Sequence, residues 1–306
     1  MIAKRARFLI LRGGAIGDFI VTLPALSALR ARWPDAYIEL IGYPHIAALA
    51  RDSGLVDRID SLDRAGMATF FSLLPQFSEE QIQRIRSFDV ILSYLHDPNG
   101  TVQNNLYLAG AKQVIYGSPL VGEGIHAVDH LLKPLEALAI YEAGAAPVLR
   151  MRDEQNEWAR TYLQNAGIGE RAWILHPGSG SPRKNWPVDR YRALADRLRR
   201  EQRGTPVFLL GEADHALVAE LKGRTVFSDL TLPQVASLIG ACCAYVGNDS
   251  GITHLAAAVG APVTALFGPG SVAQWAPRGA RVTTLAAEGG DLDRITVDDV
   301  WRSLPE

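Results

Sequence analysis

Three times in this chain a short apolar run ends in a turn of small polar residues that opens a helix, and this pattern narrows the possible folds more than any other feature. The last instance is Tyr245-Val246-Gly247-Asn248-Asp249-Ser250-Gly251-Ile252-Thr253-His254-Leu255. Ala241 to Val246 reads as a buried strand, and Leu255 to Val259 as a helix that stops at Gly260. A helix opened this way leaves backbone N–H groups without carbonyl partners. Those groups and the helix dipole bind anions, most often phosphate. Ser250 and Thr253 add hydroxyl donors, and Gly251 lets the backbone come close to a ligand. For this segment alone, an ordinary helix cap is the alternative.

The first instance runs from Phe8 through Arg12-Gly13-Gly14-Ala15-Ile16-Gly17-Asp18 to Thr22-Leu23-Pro24-Ala25-Leu26. Phe8 to Leu11 is continuously apolar, as expected of a parallel strand covered on both faces. The turn is not a dinucleotide fingerprint, because Arg12 stands where the first glycine would fall. Nor is it a P-loop, since the required lysine is absent. Asp18 lies where a helix over residues 18–32 begins, and either helix capping or catalysis explains it. The middle instance is Trp173 to Tyr191, containing His176-Pro177-Gly178-Ser179-Gly180-Ser181-Pro182-Arg183-Lys184-Asn185-Trp186-Pro187. A Gly/Ser loop at a strand end carries Lys184, a point charge suited to phosphate. A solvated basic loop is the plainer reading.

Together these segments resemble the bacterial heptosyltransferases of lipopolysaccharide core assembly, in glycosyltransferase family nine. The matching motifs are Gly17-Asp18 with Thr22, Pro24, Ala25 and Leu26, then His176 to Pro187, Gly247 to Ala258, and Ala265 to Pro269. Their order and spacing fit across nearly the whole chain. No quotable signature lies between Asp60 and Gly124.

Composition agrees. The 306 residues are enough for two domains with a core each. A formal net charge of −2 gives no electrostatic case for nucleic acid. Cys242 and Cys243 stand adjacent in an apolar context and read as buried and reduced, which fits a cytoplasmic setting. Lys4, Arg5 and Arg7 precede only a short apolar run, so neither a signal peptide nor a membrane span is expected, and no later run is long enough to cross a bilayer.

Strands and helices alternate along both halves, the pattern of doubly wound parallel sheets. The expected fold class is α/β, with residues 1–152 as an acceptor-side domain and 153–306 as a donor domain. Two Rossmann-like domains facing a cleft form the GT-B fold, which the resemblance also implies. In that fold the last helix, here about 296–304, often returns to the first domain. Ligands in such sheets sit beyond the strand carboxyl ends. All three motifs follow strand ends, so they can converge on one cleft.

The resemblance further implies transfer of heptose from ADP-heptose, with inversion, to a sugar hydroxyl of a glycolipid or oligosaccharide acceptor. Asp18 would be the base, since aspartate is ionised in water at neutral pH. Gly14, Gly17 and Thr22 would shape the acceptor side. Lys184 and the Ser250–Thr253 helix start would offset charge on the departing ADP. Ser179, Asp249, Ser250, Gly251, Ile252, Thr253 and His254 would line the donor site. Leu230 would touch the adenine, and either Glu212 or Asp214 the ribose. No metal or other cofactor is required. Alternatives are a family-nine transferase using another nucleotide sugar or acceptor, a nucleotide-sugar epimerase of GT-B fold, and a non-catalytic nucleotide-sugar-binding protein.

Other clusters rank lower. His126 and His130 share helical spacing, but a third zinc ligand is missing. His96 and Asp97 fit a turn as well as an acceptor contact. Asp291 and Asp293 have metal-pair spacing yet read as solvated or capping. The apolar stretch Met67 to Phe77 is core by preference, with peripheral contact at the inner membrane as the alternative. Arg12, Arg30 and Arg32 either meet anionic groups or are scattered surface arginines.

Overall fold

The computed structural model describes residues 5–169, 171–268 and 270–305. Lys4 and Pro269, named above, lie outside them. The chain forms two compact units, Met1–Ala145 and Ala146–Glu306. The connector belongs to the second unit, since Leu149 N–H donates to the Ala258 carbonyl at 2.8 Å.

The first unit holds a five-stranded sheet of β1 (Arg7–Leu11), β2 (Tyr37–Gly42), β3 (Arg58–Ser61), β4 (Val90–Ser93) and β5 (Val114–Tyr116). Every pairing is parallel and the order is β3-β2-β1-β4-β5. Leu9, Ile10 and Leu11 are fully buried at its centre. The order reverses between β1 and β4, so the glycine turn after β1 stands at the topological switch point, where such sheets bind ligands.

The expected helix over 18–32 is two helices, Ile16–Ile20 and Leu23–Arg32. Pro24 is the cause: its ring collides with the carbonyl four residues back, which is that of Ile20. Pro134 likewise ends the helix Ala127–Leu132, and a 3₁₀ turn follows over Lys133–Leu138.

The second unit holds β6 (Ala172–His176), β7 (Thr205–Leu209), β8 (Val226–Phe227), β9 (Ala244–Asn248), β10 (Val263–Phe267) and β11 (Val282–Ala286). The sheet is parallel with order β11-β10-β9-β6-β7-β8. Here the reversal falls between β6 and β9, the strands that carry the second and third motifs. The final helix, Val297–Ser303, packs within its own unit, although the fold allows it a place on the first domain. Val300 and Leu304 enter the core beside Tyr191 and Leu198, and Arg197 pairs with Asp298 at 2.5 Å.

Several lower-ranked clusters have structural duties. The His126 ring caps its helix by accepting the Val128 N–H at 3.2 Å, and His130 Nε2 lies 2.9 Å from the Ser118 carbonyl oxygen. Asp97 accepts the Gln103 N–H at 2.9 Å. Asp291 caps a short turn through the Asp293 N–H. Cys242 and Cys243 are free thiols, and burial raises the pKa of both. The stretch 67–77 divides: Met67 and Phe70 are buried, whereas Leu73 and Leu74 are 87% and 88% exposed. Among the described residues no group of His, Cys, Asp and Glu is placed to hold a metal ion, and no helix is long and apolar enough to cross a membrane.

Candidate active site

In the first unit the site is built around Asp18, in the first turn of the helix Ile16–Ile20. Its Oδ2 accepts the Ala15 N–H at 3.0 Å. Gly14 has φ +96°, and a Cβ there would lie 3.0 Å from Asp18 Oδ2. Gly14 is therefore fixed both by its backbone and by the carboxylate. Gly17 lies in the same short helix, and its carbonyl accepts the Val21 N–H at 3.0 Å. The Thr22 hydroxyl donates to the Asp18 carbonyl at 2.8 Å. The Asp18 side chain remains 36% exposed.

Of the two sequence readings of Arg12, an anion contact or a scattered surface arginine, the second does not hold. Arg12 is 3% exposed, and Nε donates to Thr22 Oγ1 at 2.9 Å while one terminal nitrogen donates to the Asp18 carbonyl at 2.7 Å. The same nitrogen stands 3.9 Å from Asp18 Oδ1. Arg30 and Arg32 also have local partners: Arg30 pairs with Asp57 at 2.8 Å, and Arg32 lies over the Trp33 ring.

In the second unit Lys184 closes a 3₁₀ turn, Pro182–Lys184, and its Nζ lies 2.6 Å from Asp249 Oδ2. Two features fix this pair. Trp186, 1% exposed, anchors the lysine loop by donating from its indole N–H to the Ile295 carbonyl at 2.8 Å. Asn248, fully buried, ties both loops together. Its Oδ1 accepts from the Trp186 N–H and the Tyr191 hydroxyl, each at 3.0 Å, and its Nδ2 donates to the Pro177 carbonyl at 2.8 Å. Gly270 is required beside the pair, because a Cβ there would lie 2.9 Å from Asp249 Oδ2.

Ser250 caps the helix Gly251–Ala258 by accepting the Thr253 N–H at 3.3 Å. Gly251 and Ile252 occupy its first turn, where N–H groups have no intrahelical acceptor. Thr253 serves the fold rather than the surface. It is fully buried, its hydroxyl donates to the Asn248 carbonyl, and it lies 3.0 Å from the Tyr245 hydroxyl. His254 is buried as well. The Ser179 hydroxyl organises its own loop, 2.6 Å from Asn185 Oδ1 and accepting the Ser181 N–H at 3.2 Å.

The two carboxylates left open for the ribose differ sharply. Asp214 is buried, accepts the Gly211 N–H at 2.9 Å and stands 3.6 Å from His176 Nε2. It fills the space over Gly178, where a Cβ would meet its Oδ1 at 1.8 Å. Glu212 is exposed at the start of the 3₁₀ helix Glu212–Val218. Leu230, half-buried, follows Asp229, whose φ of +58° turns the chain after β8. His176 and Asn248 lie inside the sequence motifs with no individual role legible there, and the burial of Arg12 is not legible either. Their one common sequence signal is a polar residue at the end of an apolar strand.

Two parallel-sheet α/β units carry these features, and the class they define is a glycosyltransferase of GT-B fold. Residues 116–295 match the model of glycosyltransferase family 9 (heptosyltransferase), and the chain belongs to this family. Lipopolysaccharide heptosyltransferase 3 of Escherichia coli K12 is 24% identical over 289 residues, covering 85% of this chain and 82% of that one. The crystal structure of a family 9 glycosyltransferase from Veillonella parvula superposes with a TM-score of 0.82 at 20% identity, over 99% of this chain and 97% of that one. Escherichia coli ADP-heptose lipopolysaccharide heptosyltransferase II gives a TM-score of 0.77 at 18% identity, over 97% of each chain.

Proposed function

We propose that the chain transfers heptose from ADP-heptose, with inversion, to a sugar hydroxyl of a lipopolysaccharide-core or related glycan. The observation that carries this reading is the Lys184–Asp249 pair at 2.6 Å beside the helix start at Ser250, at the switch point of a family 9 chain. The names of the relatives supply the sugar and the glycan. Residues 1–152 would take the acceptor and 153–306 the donor.

In the step itself Asp18 accepts the proton of the acceptor hydroxyl as its oxygen attacks the anomeric carbon. A new C–O bond forms there, the bond from that carbon to the diphosphate oxygen breaks, and ADP leaves with the electron pair. Lys184 and the N–H groups of Gly251 and Ile252 offset the charge that grows on the diphosphate. Asp249 holds Lys184 in place and then accepts from the sugar. Leu230 packs on the adenine and Glu212 binds the ribose, while Asp214 supports the loop. No step is assigned to a metal or cofactor. A lipid-linked acceptor puts the enzyme at the cytoplasmic face of the inner membrane, and the exposed Leu73 and Leu74 suit peripheral contact.

Thermal stabilisation by ADP, UDP, GDP and CMP tests the donor, since a ligand of the folded state raises apparent stability. ADP should stabilise most, and ADP-heptose further. Preference for UDP or GDP would leave the fold intact and discard ADP-heptose as donor.

A further inference from the structure

The environment of Arg12 calls for an explanation that stability alone does not give. Burying a guanidinium costs several kcal/mol in desolvation, and an apolar side chain would fill a core position at less cost. Here the buried head group bonds the Thr22 hydroxyl and the Asp18 carbonyl, and stands 3.9 Å from Asp18 Oδ1. Its backbone is pinned too. Arg12 N–H donates to the Ile41 carbonyl at 3.0 Å, and the Arg12 carbonyl lies so close to Gly42 that a Cβ there would be 2.7 Å away. Burial lowers the guanidinium's pKa, and the charge of Asp18 opposes that.

We infer that Arg12 is a positioning residue for the reaction, holding the helix turn of Asp18 by its carbonyl and by Thr22 and keeping a fixed positive charge beside the carboxylate. The inference rests on the reading of Asp18 as the base. Its hydrogen bonds go to the Thr22 hydroxyl and to the Asp18 and Tyr94 carbonyls, so Arg12 acts through Asp18 and not on the sugar. An oriented base contributes roughly 10²–10⁴-fold to a rate. Displacing it without removing it gives up part of that factor.

The test uses the full-length enzyme, ADP-heptose and heptose-deficient core glycolipid as acceptor probe. Arg12→Met, Arg12→Lys, Asp18→Asn and the double variant Arg12→Met/Asp18→Asn are compared for kcat, KM for ADP-heptose, and ADP affinity. Arg12→Met should lower kcat by about 10- to 100-fold, with ADP affinity and donor KM within about twofold of the parent. Arg12→Lys keeps the charge without the forked geometry and should recover part of the loss. It also carries the test if the methionine variant does not fold. In the Asp18→Asn background, Arg12→Met should cost no further activity, because a residue acting through another loses its effect once that residue is gone. A full additional loss in the double variant, or parental kcat in both Arg12 variants while Asp18→Asn is inactive, would overturn the inference and leave the base assignment standing. An active Asp18→Asn enzyme would remove both.

Discussion

Lys184 Nζ and Asp249 Oδ2 lie 2.6 Å apart across 65 residues of sequence, so the cation proposed for the diphosphate has an anionic partner within the protein. The pairing orients the lysine, which is 39% exposed, and tempers its charge. Lys184→Ala should weaken ADP binding by about tenfold or more, as expected for loss of a charge-assisted contact. Asp249→Asn should behave differently: ADP binds as well or better because the lysine is no longer neutralised, yet transfer falls. Calorimetric titration of both variants with ADP checks this.

Asn248 is the joint between the two loops of the second unit. Each buried donor or acceptor left without a partner costs about 1–3 kcal/mol, so Asn248→Ala, which strands three, should cost ~3–9 kcal/mol in the second unit. The Trp186 N–H, the Tyr191 hydroxyl and the Pro177 carbonyl all lose their partner. A lowered urea midpoint for the second unit, together with weaker ADP binding, is the expected result.

The buried Asp214 and the exposed Glu212 should separate in a single experiment. Asp214→Asn and Gly178→Ala should destabilise the second unit, the latter because its new Cβ has no room beside Asp214. Glu212→Gln should leave stability unchanged and abolish discrimination between ADP and 2′-deoxy-ADP. Loss of that discrimination in Asp214→Asn at unchanged stability would exchange the two roles.

Acid stability of the first unit should depend on Asp57 and Asp60. Partial burial pushes each pKa up. For Asp57 the Ile38 N–H, Arg30 and Arg5 outweigh that, and for Asp60 the Ser61 N–H, Arg84 and Arg64 do, so both carboxyls end below their ordinary range. A depressed folded pKa means the unfolded chain binds more protons as pH falls. The stabilisation is complete above the unfolded value of about 3.9 and disappears as pH drops through the folded values. Urea midpoints at about pH 6 and pH 3 should therefore differ less in Asp57→Asn than in the parent.

Much of the fold could be read from the chain because it is written in local apolar runs. The apolar run Phe8 to Leu11 is strand β1 with Arg7 added, whereas the strand expected over 241–246 is shifted to Ala244–Asn248, because Ala241 closes the helix Leu232–Ala241. What escaped is non-local or edge-like. β11, Val-Thr-Thr-Leu-Ala, is a partly exposed edge strand without a continuous apolar run. Asn248 gains its meaning from partners 57 to 71 positions away, which no window along the sequence contains. Arg12 looked like any arginine until the packing of Thr22, Asp18 and Tyr94 around it was visible. For the candidate site, motif spacing identified the loops, but only the side-chain environment showed that Thr253 and Asp214 face inward.

The most direct measurement is mass spectrometry of heptose-deficient core glycolipid after incubation with ADP-heptose and either the parent enzyme or Asp18→Asn. The account predicts that the parent adds one heptose and releases ADP, while Asp18→Asn binds ADP normally and transfers at least about 10²-fold more slowly. Transfer at the parental rate by Asp18→Asn, or none from ADP-heptose where another nucleotide sugar is used, would contradict it.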